Sequence, residues 1–171
     1  MSVTVERVDR ASAELVDGLA ALLMDAVASN AGISFMAGLT VDEARDWWRN
    51  LLNRSGPSPL VLVARDSHGI AGTVQLQPAW PPNQPHRGDV AKLIVHSRAR
   101  GNGIARALMT ELEYRARGAG LTLLLLDTCK GSAAEKLYRS MNWIEVGTVP
   151  QFALNPDGSW CDTVFFYKQL G

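Results

Sequence analysis

The chain has 171 residues, 17 of them Lys or Arg and 17 Asp or Glu, so its formal net charge is zero. Apolar residues make up 47% and charged residues 20%, a balance that suits one globular domain over residues 1–171 and excludes a generally basic, nucleic-acid-binding surface. No apolar run approaches the roughly 20 residues of a membrane span, Met1 to Arg7 carries charge too early for a secretory leader, and Cys129 and Cys161 alone point to reduced thiols in a cytoplasmic protein.

Val3 to Val8 alternates apolar and polar residues, the period of a half-buried strand. Ser12 can cap a helix on which Leu15, Leu19, Leu22, Leu23 and Val27 recur at helical spacing, closed by Ala28 to Gly32. Thr40 to Glu43 has capping-box spacing and opens a second helix through Trp47, Trp48 and Leu51. Ser55-Gly56-Pro57-Ser58-Pro59 breaks that helix. Trp47 and Trp48 are neighbours on it and cannot both face a core, so one is expected to be half exposed. Trp47 and Trp80 are therefore candidate walls for a substrate pocket.

Leu60 to Arg65 and Ile70 to Gln77 are strand runs joined by Asp66-Ser67-His68-Gly69, a hairpin signal. Pro78 to Gly88 reads as a surface loop. A strand from about Asp89 to His96 then meets the basic turn Ser97-Arg98-Ala99-Arg100-Gly101-Asn102-Gly103, which opens directly into a helix to about Arg117. Ile104, Leu108 and Leu112 mark the buried stripe of that helix, and Gly118 with Gly120 closes it. The leucine-rich run Leu121 to Asp127 reads as a central strand covered on both faces. Ser132 to Met141 is a short helix, Trp143 to Val149 a strand, Asn155-Pro156-Asp157-Gly158 a turn, and Thr163 to Lys168 a last strand. The sum is a mixed α/β sheet with helices on both faces.

The strand–glycine turn–helix is the most informative stretch. Glycines let successive backbone N–H groups converge, and the first helical turn leaves unpaired donors at the positive end of the helix dipole. A diphosphate suits such a cradle. The dinucleotide fingerprint is absent, because Arg106 stands where its third glycine would be, and so is the phosphate-loop lysine. No cluster of His, Cys and carboxylate has metal-ligand spacing, so no metal is expected.

Arg98-Ala99-Arg100-Gly101-Asn102-Gly103 resembles the acetyl-CoA motif of the GNAT acetyltransferases, Gln/Arg-x-x-Gly-x-Gly/Ala. Ala134-x-x-Leu137-Tyr138-x-x-x-Asn142-Trp143 resembles that family's second motif, with Asn142 in place of a glycine. The substitution is conservative if Asn142 is left-handed at the helix end. The asparagine common in the family three residues before Ala134 is Gly131 here, so no side-chain cofactor contact is expected from that position. The element order fits over nearly the whole chain. The C-terminal half, from Leu123-Leu124-Leu125-Leu126-Asp127-Thr128 to Thr163-Val164-Phe165-Phe166-Tyr167-Lys168, resembles the tabtoxin resistance subgroup, which acetylates an amine of a toxin amino acid.

The resemblance implies a sheet of about seven strands flanked by about four helices, and an acetyl-CoA-dependent N-acetyltransferase acting on a small amine, such as a toxin or antibiotic amino acid. It implies that the backbone of Leu93, Ile94 and Val95 pairs with pantetheine. Arg98, Arg100, Gly101, Asn102, Gly103, Ile104, Ala105 and Ala134 would hold the cofactor. Tyr138 would be the general acid, with Asp89 and Asp127 the candidate bases. The apolar run before Asp127 would desolvate its carboxyl and raise its pKa. His96 is read as a loop residue, and direct transfer is simpler than an acetyl-Cys129 intermediate. A protein N-terminal or lysine acetyltransferase, and an inactive acyl-CoA sensor, are the alternatives. No nucleic-acid or membrane partner is expected, and Phe165-Phe166-Tyr167 would serve either a core or a homodimer interface.

Overall fold

The computed structural model describes residues 3–54 and 59–171. In chain order it contains β1 (Thr4–Arg7), α1 (Ala13–Ala28), α2 (Val41–Leu52), β2 (Leu60–Asp66), β3 (Gly69–Pro78), β4 (Arg87–Val95), a 3-10 turn at Ser97–Ala99, α3 (Ile104–Gly118), β5 (Leu123–Cys129), α4 (Ala133–Ser140), β6 (Ile144–Leu154) and β7 (Trp160–Gln169). The strands form one seven-stranded sheet in the order β1-β2-β3-β4-β5-β7-β6. Only β4 and β5 run parallel. Sheet, helices and element order are those expected from the sequence. The helix-breaking segment Ser55 to Ser58 lies outside the described residues.

The caps act as their residue types dictate. The Ser12 hydroxyl accepts from the Leu15 amide at 3.1 Å. Thr40 and Glu43 close a full capping box, with the Thr40 amide donating to Glu43 at 2.8 Å and the Glu43 amide to Thr40 at 3.2 Å. Asn142 sits just past α4 at φ +61°, and the Trp143 amide returns to the Tyr138 carbonyl at 3.1 Å. That is the left-handed helix end at which Asn substitutes for Gly.

Alternation along the strands sorts the core into two layers. Leu62, Val74, Leu76, Val90, Leu124, Leu126 and Phe166 pack with Leu108 and Leu112 of α3. Val61, Val63 and Ile94 face the other way, against Leu19, Leu22 and Leu23 of α1 and the fully buried Trp48 of α2. Each such side chain contributes about 1.5–3 kcal/mol when buried. Trp47 is half-buried beside it, its ring edge-on to Trp48 at 4.8 Å.

Two sequence expectations need correction. β6 runs past Val149, through Pro150, to Leu154. It is an edge strand, where Pro costs no ladder bond, and its register shifts between Val149 and Ala153. Gln151 takes φ +52° in that bulge and donates its amide to Asp162 at 2.9 Å. β5 is central, but only Leu124 and Leu126 are fully covered, while Leu123 and Leu125 are half-buried. Their face lies beyond the core that α1 and α2 cover, which includes neither leucine, and β4 pairs with β5 only from Arg87–Leu123 to Asp89–Leu125. Beyond that, the β3–β4 register shifts between Thr73 and Gln75, and Lys92 lies at φ +55°. A bulge bends its strand, and here β4 leaves β5.

Candidate active site

The parting of β4 and β5 opens a cavity of about 790 Å³. One wall is β4 from Val90 to Val95, the other is Asp127 to Gly131 with Ala134 and Tyr138 of α4, and Ala31 to Ser34 of the α1–α2 loop close one side. At one end lies the glycine turn. The His96 amide donates to Ala71 on β3 at 2.9 Å, so the preceding Val95 amide points the opposite way, into the gap. β4 therefore presents a strand edge without a partner strand along Leu93, Ile94 and Val95.

Gly101 and Gly103 take φ of +79° and +76°, a region other residues enter at a cost, and a Cβ on either would meet open space. Gly103 caps α3 without a side-chain bond, and the first bond into the helix is Ala107 N–H to Gly103 O at 3.0 Å. The Ile104, Ala105 and Arg106 amides are therefore free donors at the helix N-terminus, facing the cavity. Asp25 of α1 fixes the approach to this turn by accepting the Ser97 hydroxyl at 2.6 Å and the Ser97 amide at 2.8 Å. Burial alone would raise the Asp25 carboxyl, but the Ser97 bonds outweigh it and hold the pKa below the usual carboxylate value. No local motif marked Asp25, whose partner lies 72 residues away.

At the other end Asp127 opens into the cavity. Desolvation raises its carboxyl pKa; Lys92 opposes that shift and Asp89 adds to it. Asp89 pairs in register with Leu125, two residues before Asp127, and so lies on the same sheet face. Unlike Asp127 it does not line the cavity, whose β4 wall begins at Val90, and it holds an ion pair with Arg87 at 3.3 Å. Tyr138 is buried against Trp143 and Phe166, with ring centroids 5.8 and 6.1 Å away. Its pKa is driven upward, first by burial and then by the Asp127 charge. The hydroxyl hydrogen-bonds no side chain among the described residues. The Gly131 amide donates to Glu135, and Gly131 lies at φ +79° on the cavity rim.

Several candidate residues stand elsewhere. Arg98 does not face the cavity: it holds Asp66 with both terminal nitrogens and donates to the Ile70 carbonyl at 3.3 Å, clasping the β2–β3 turn. Asn102 turns its amide back to the Ala99 and Arg100 carbonyls at 3.2 and 3.3 Å. Arg100 does line the cavity, with Nε on the Val95 carbonyl at 3.2 Å. Trp80 is 90% exposed on the β3–β4 loop, so it walls nothing. Trp47 does not line this cavity: it stands edge-on to Phe35, with which it lines a separate pocket of about 430 Å³. The two cysteines are joined as a disulfide across β5 and β7, with Cα atoms 5.8 Å apart, so the reduced-thiol reading is corrected. Strands that follow one another by topology rather than sequence brought them together. With no free thiol, Cys129 offers no acyl-accepting sulfur.

Among the cavity residues that no sequence signal marked is a half-buried cation. Lys92, at the β4 bulge, donates to the Ile33 carbonyl and the Ser34 hydroxyl, both at 2.9 Å. Its ammonium lies 5.5 Å from the Phe35 ring centroid and 5.8 Å from that of Trp47. Burial lowers its pKa, and the Asp127 charge partly restores it.

A cradle of free amides, an open strand edge, and a carboxylate and a buried phenol on the wall opposite that edge are the parts of an acyl-CoA-dependent transferase. Residues 24–143 match the model of the acetyltransferase (GNAT) family, and the chain belongs to that family. It is an acetyl-CoA-dependent N-acetyltransferase by that membership. It is 31% identical over 127 residues to an uncharacterized N-acetyltransferase of the hisH-hisA intergenic region of Azospirillum brasilense, covering 73% of this chain and 74% of that one. It is 27% identical over 155 residues to the L-methionine sulfoximine/L-methionine sulfone acetyltransferase of Pseudomonas aeruginosa, covering 90% and 88%. The structure of yncA from Salmonella typhimurium with its cofactor acetyl-CoA superposes with a TM-score of 0.75 at 20% identity, over 100% of this chain and 95% of that one.

Proposed function

We propose that residues 1–171 act as one domain that moves the acetyl group of acetyl-CoA directly to a primary amine of a small molecule. The observation that carries this reading is the single cavity that runs from the free amides at Gly101–Arg106 to Asp127 and Tyr138. The β4 edge at Leu93–Val95 would take the pantetheine amides as an added strand. The cradle amides and Arg100 would hold the pyrophosphate. In the acceptor half, Asp127, directly or through a water, would take the proton of the alkylammonium, whose pKa lies near 10 in water. The amine nitrogen then attacks the thioester carbonyl, and the Val95 amide faces the oxyanion. Collapse breaks the carbon–sulfur bond, Tyr138 would give its proton to the departing thiolate, and the nitrogen, cationic after attack, would release its second proton to the resulting phenolate or to water, leaving a neutral amide.

A protein that works on acetyl-CoA from the cellular pool is placed in the cytoplasm by this reading. The relative named for methionine sulfoximine and methionine sulfone supports a small amino acid acceptor, of the toxin or antibiotic kind, over a protein amine. The test is acetyl-CoA turnover by the purified protein against amino acids, simple amines and peptides. Small-molecule turnover with high selectivity over peptides is expected. Peptide-only turnover would favour a protein acetyltransferase, and acetyl-CoA binding without turnover an acyl-CoA sensor.

A further inference from the structure

Lys92 and Asp127 carry opposite charges into one cavity and shift each other's ionisation, yet they form no ion pair with each other. Something holds them apart. Lys92 is drawn to the α1–α2 loop by its bonds to Ile33 and Ser34, and its ammonium is flanked by the Phe35 and Trp47 rings. Two of its three N–H donors are used there. The half-buried Lys92 cation and the Asp127 carboxylate, which opens to solvent through the cavity, stand on opposite walls without neutralising each other. A zwitterion lying between them would neutralise both.

We infer that Lys92 is a specificity-determining residue whose ammonium receives the carboxylate of an α-amino acid, while the amine of that molecule lies against Asp127. This rests on the acetyltransferase reading and names its substrate class. The bulge matters to it. At φ +55° the β4 backbone breaks its alternation at Lys92, which sends this side chain toward the loop over the cavity. The aromatic pair behind the ammonium excludes water, which strengthens a charge-assisted bond to a carboxylate. Lys130 is a second cation of the cavity, on the wall opposite Lys92, and it is solvent-exposed.

The experiment compares kcat/KM for the common L-amino acids with kcat/KM for their carboxamides, which keep the amine and lose the negative charge. The wild-type protein should prefer the acid over the amide of its best acceptor by about 10-fold or more, the worth of a hydrogen bond to a charged group. Lys92→Met, which keeps the apolar stem, should bring that ratio close to one, chiefly through KM, with the amide still turned over. Lys92→Arg should restore part of the preference. Lys130→Met, which removes the exposed cation of the cavity, should leave the ratio in place. Because the ratio is internal to each variant, partial unfolding does not alter it. A wild-type protein without acid preference, or a preference that survives in Lys92→Met, overturns the assignment while leaving the acetyltransferase reading intact. Absence of acetyl transfer to amino acids, amides and simple alkylamines alike would overturn that reading itself.

Discussion

Asp127 and Tyr138 line one cavity, and both hold their protons more tightly than the same groups in water. Burial does most of this for each, and the Asp127 charge adds to the shift of the phenol. The consequences differ. A carboxyl with a raised pKa is a stronger base once ionised, whereas a phenol with a raised pKa stays protonated through the physiological range. In the proposed reaction the same environment therefore prepares one group to accept a proton and the other to donate one.

Tyr138→Phe removes the proton donor and keeps the ring. The ring packs at a tilt of 54° on both Trp143 and Phe166, contacts a phenyl ring keeps, so the fold should be retained. Loss of a general acid costs about 10²-fold or more in rate. Steady-state kinetics should show that loss in kcat, with acetyl-CoA affinity by calorimetry unchanged. Wild-type kcat in the variant would remove Tyr138 from the acid role.

Asp127→Asn tests the base through the pH profile. The folded-state pKa of Asp127 is raised above 3.8, so the wild-type carboxyl is protonated and inactive at low pH and gains activity as pH climbs through the raised value. The defect of the variant should therefore be largest at neutral pH and above, and should shrink toward acid as the wild type loses its own base. Asp89→Asn removes a neighbouring negative charge that adds to the shift, so it should move the acid limb to lower pH. Stability has the opposite sense. A raised folded-state pKa means that ionising Asp127 costs stability, a cost absent at low pH that appears as pH rises through that pKa. Asp127→Asn should thus melt no lower than wild type at neutral pH, and a lower Tm there would mean that the carboxylate anchors the fold.

Local signals in the chain were largely legible. The Thr40–Glu43 capping box, the positive-φ glycines at Gly101 and Gly103 and the left-handed Asn142 follow from steric and hydrogen-bonding rules that act within a few residues. So did the element order, because apolar periods of 2.0 and 3.6 residues survive in single segments. What could not be read were partnerships set by the folded sheet. Arg98 meets the family motif, yet its partner is Asp66, 32 residues away in a turn whose proximity depends on the β3–β4 pairing. Cys129 and Cys161 meet only because β7 inserts between β5 and β6. Lys92 carries no local signal, because the bulge that redirects it is set by the β3–β4 pairing. The open face of β5 likewise depends on where α1 and α2 pack, and its open edge beyond Leu125 on β4 turning away, neither of which any periodicity within β5 reveals.

Arg98 and Gly103 sit in the same motif and should fail differently. Arg98→Ala releases the Asp66 turn, so it should lower Tm while acetyl-CoA affinity is kept. Gly103→Ala meets no atom within 4 Å but forces a Cβ residue to φ +76°, at about 1–2 kcal/mol. Its methyl group also stands at the mouth of the amide cradle, so acetyl-CoA binding should weaken by about 10-fold or more, each tenfold being about 1.4 kcal/mol. Calorimetry with acetyl-CoA, alongside thermal melts, separates the two. Loss of acetyl-CoA affinity in Arg98→Ala without loss of Tm would restore Arg98 to the phosphate site.

The Cys129–Cys161 bond ties the cavity-lining end of β5 to the start of β7 across a sequence separation of 32 residues. Closing a loop of that length removes conformational freedom from the unfolded chain, worth roughly 3–4 kcal/mol in the chain-entropy account. Urea unfolding of the wild-type protein should therefore show a lower midpoint in dithiothreitol than under non-reducing conditions. The slope should also steepen, because an uncrosslinked chain exposes more surface on unfolding. Cys161→Ala should unfold near the reduced wild type, and dithiothreitol should not move its midpoint. A wild-type midpoint that is indifferent to dithiothreitol would mean that the two sulfurs are not bonded in solution, and the β5–β7 ladder from Leu123–Gln169 to Cys129–Thr163 would then hold this edge of the cavity by backbone pairing alone.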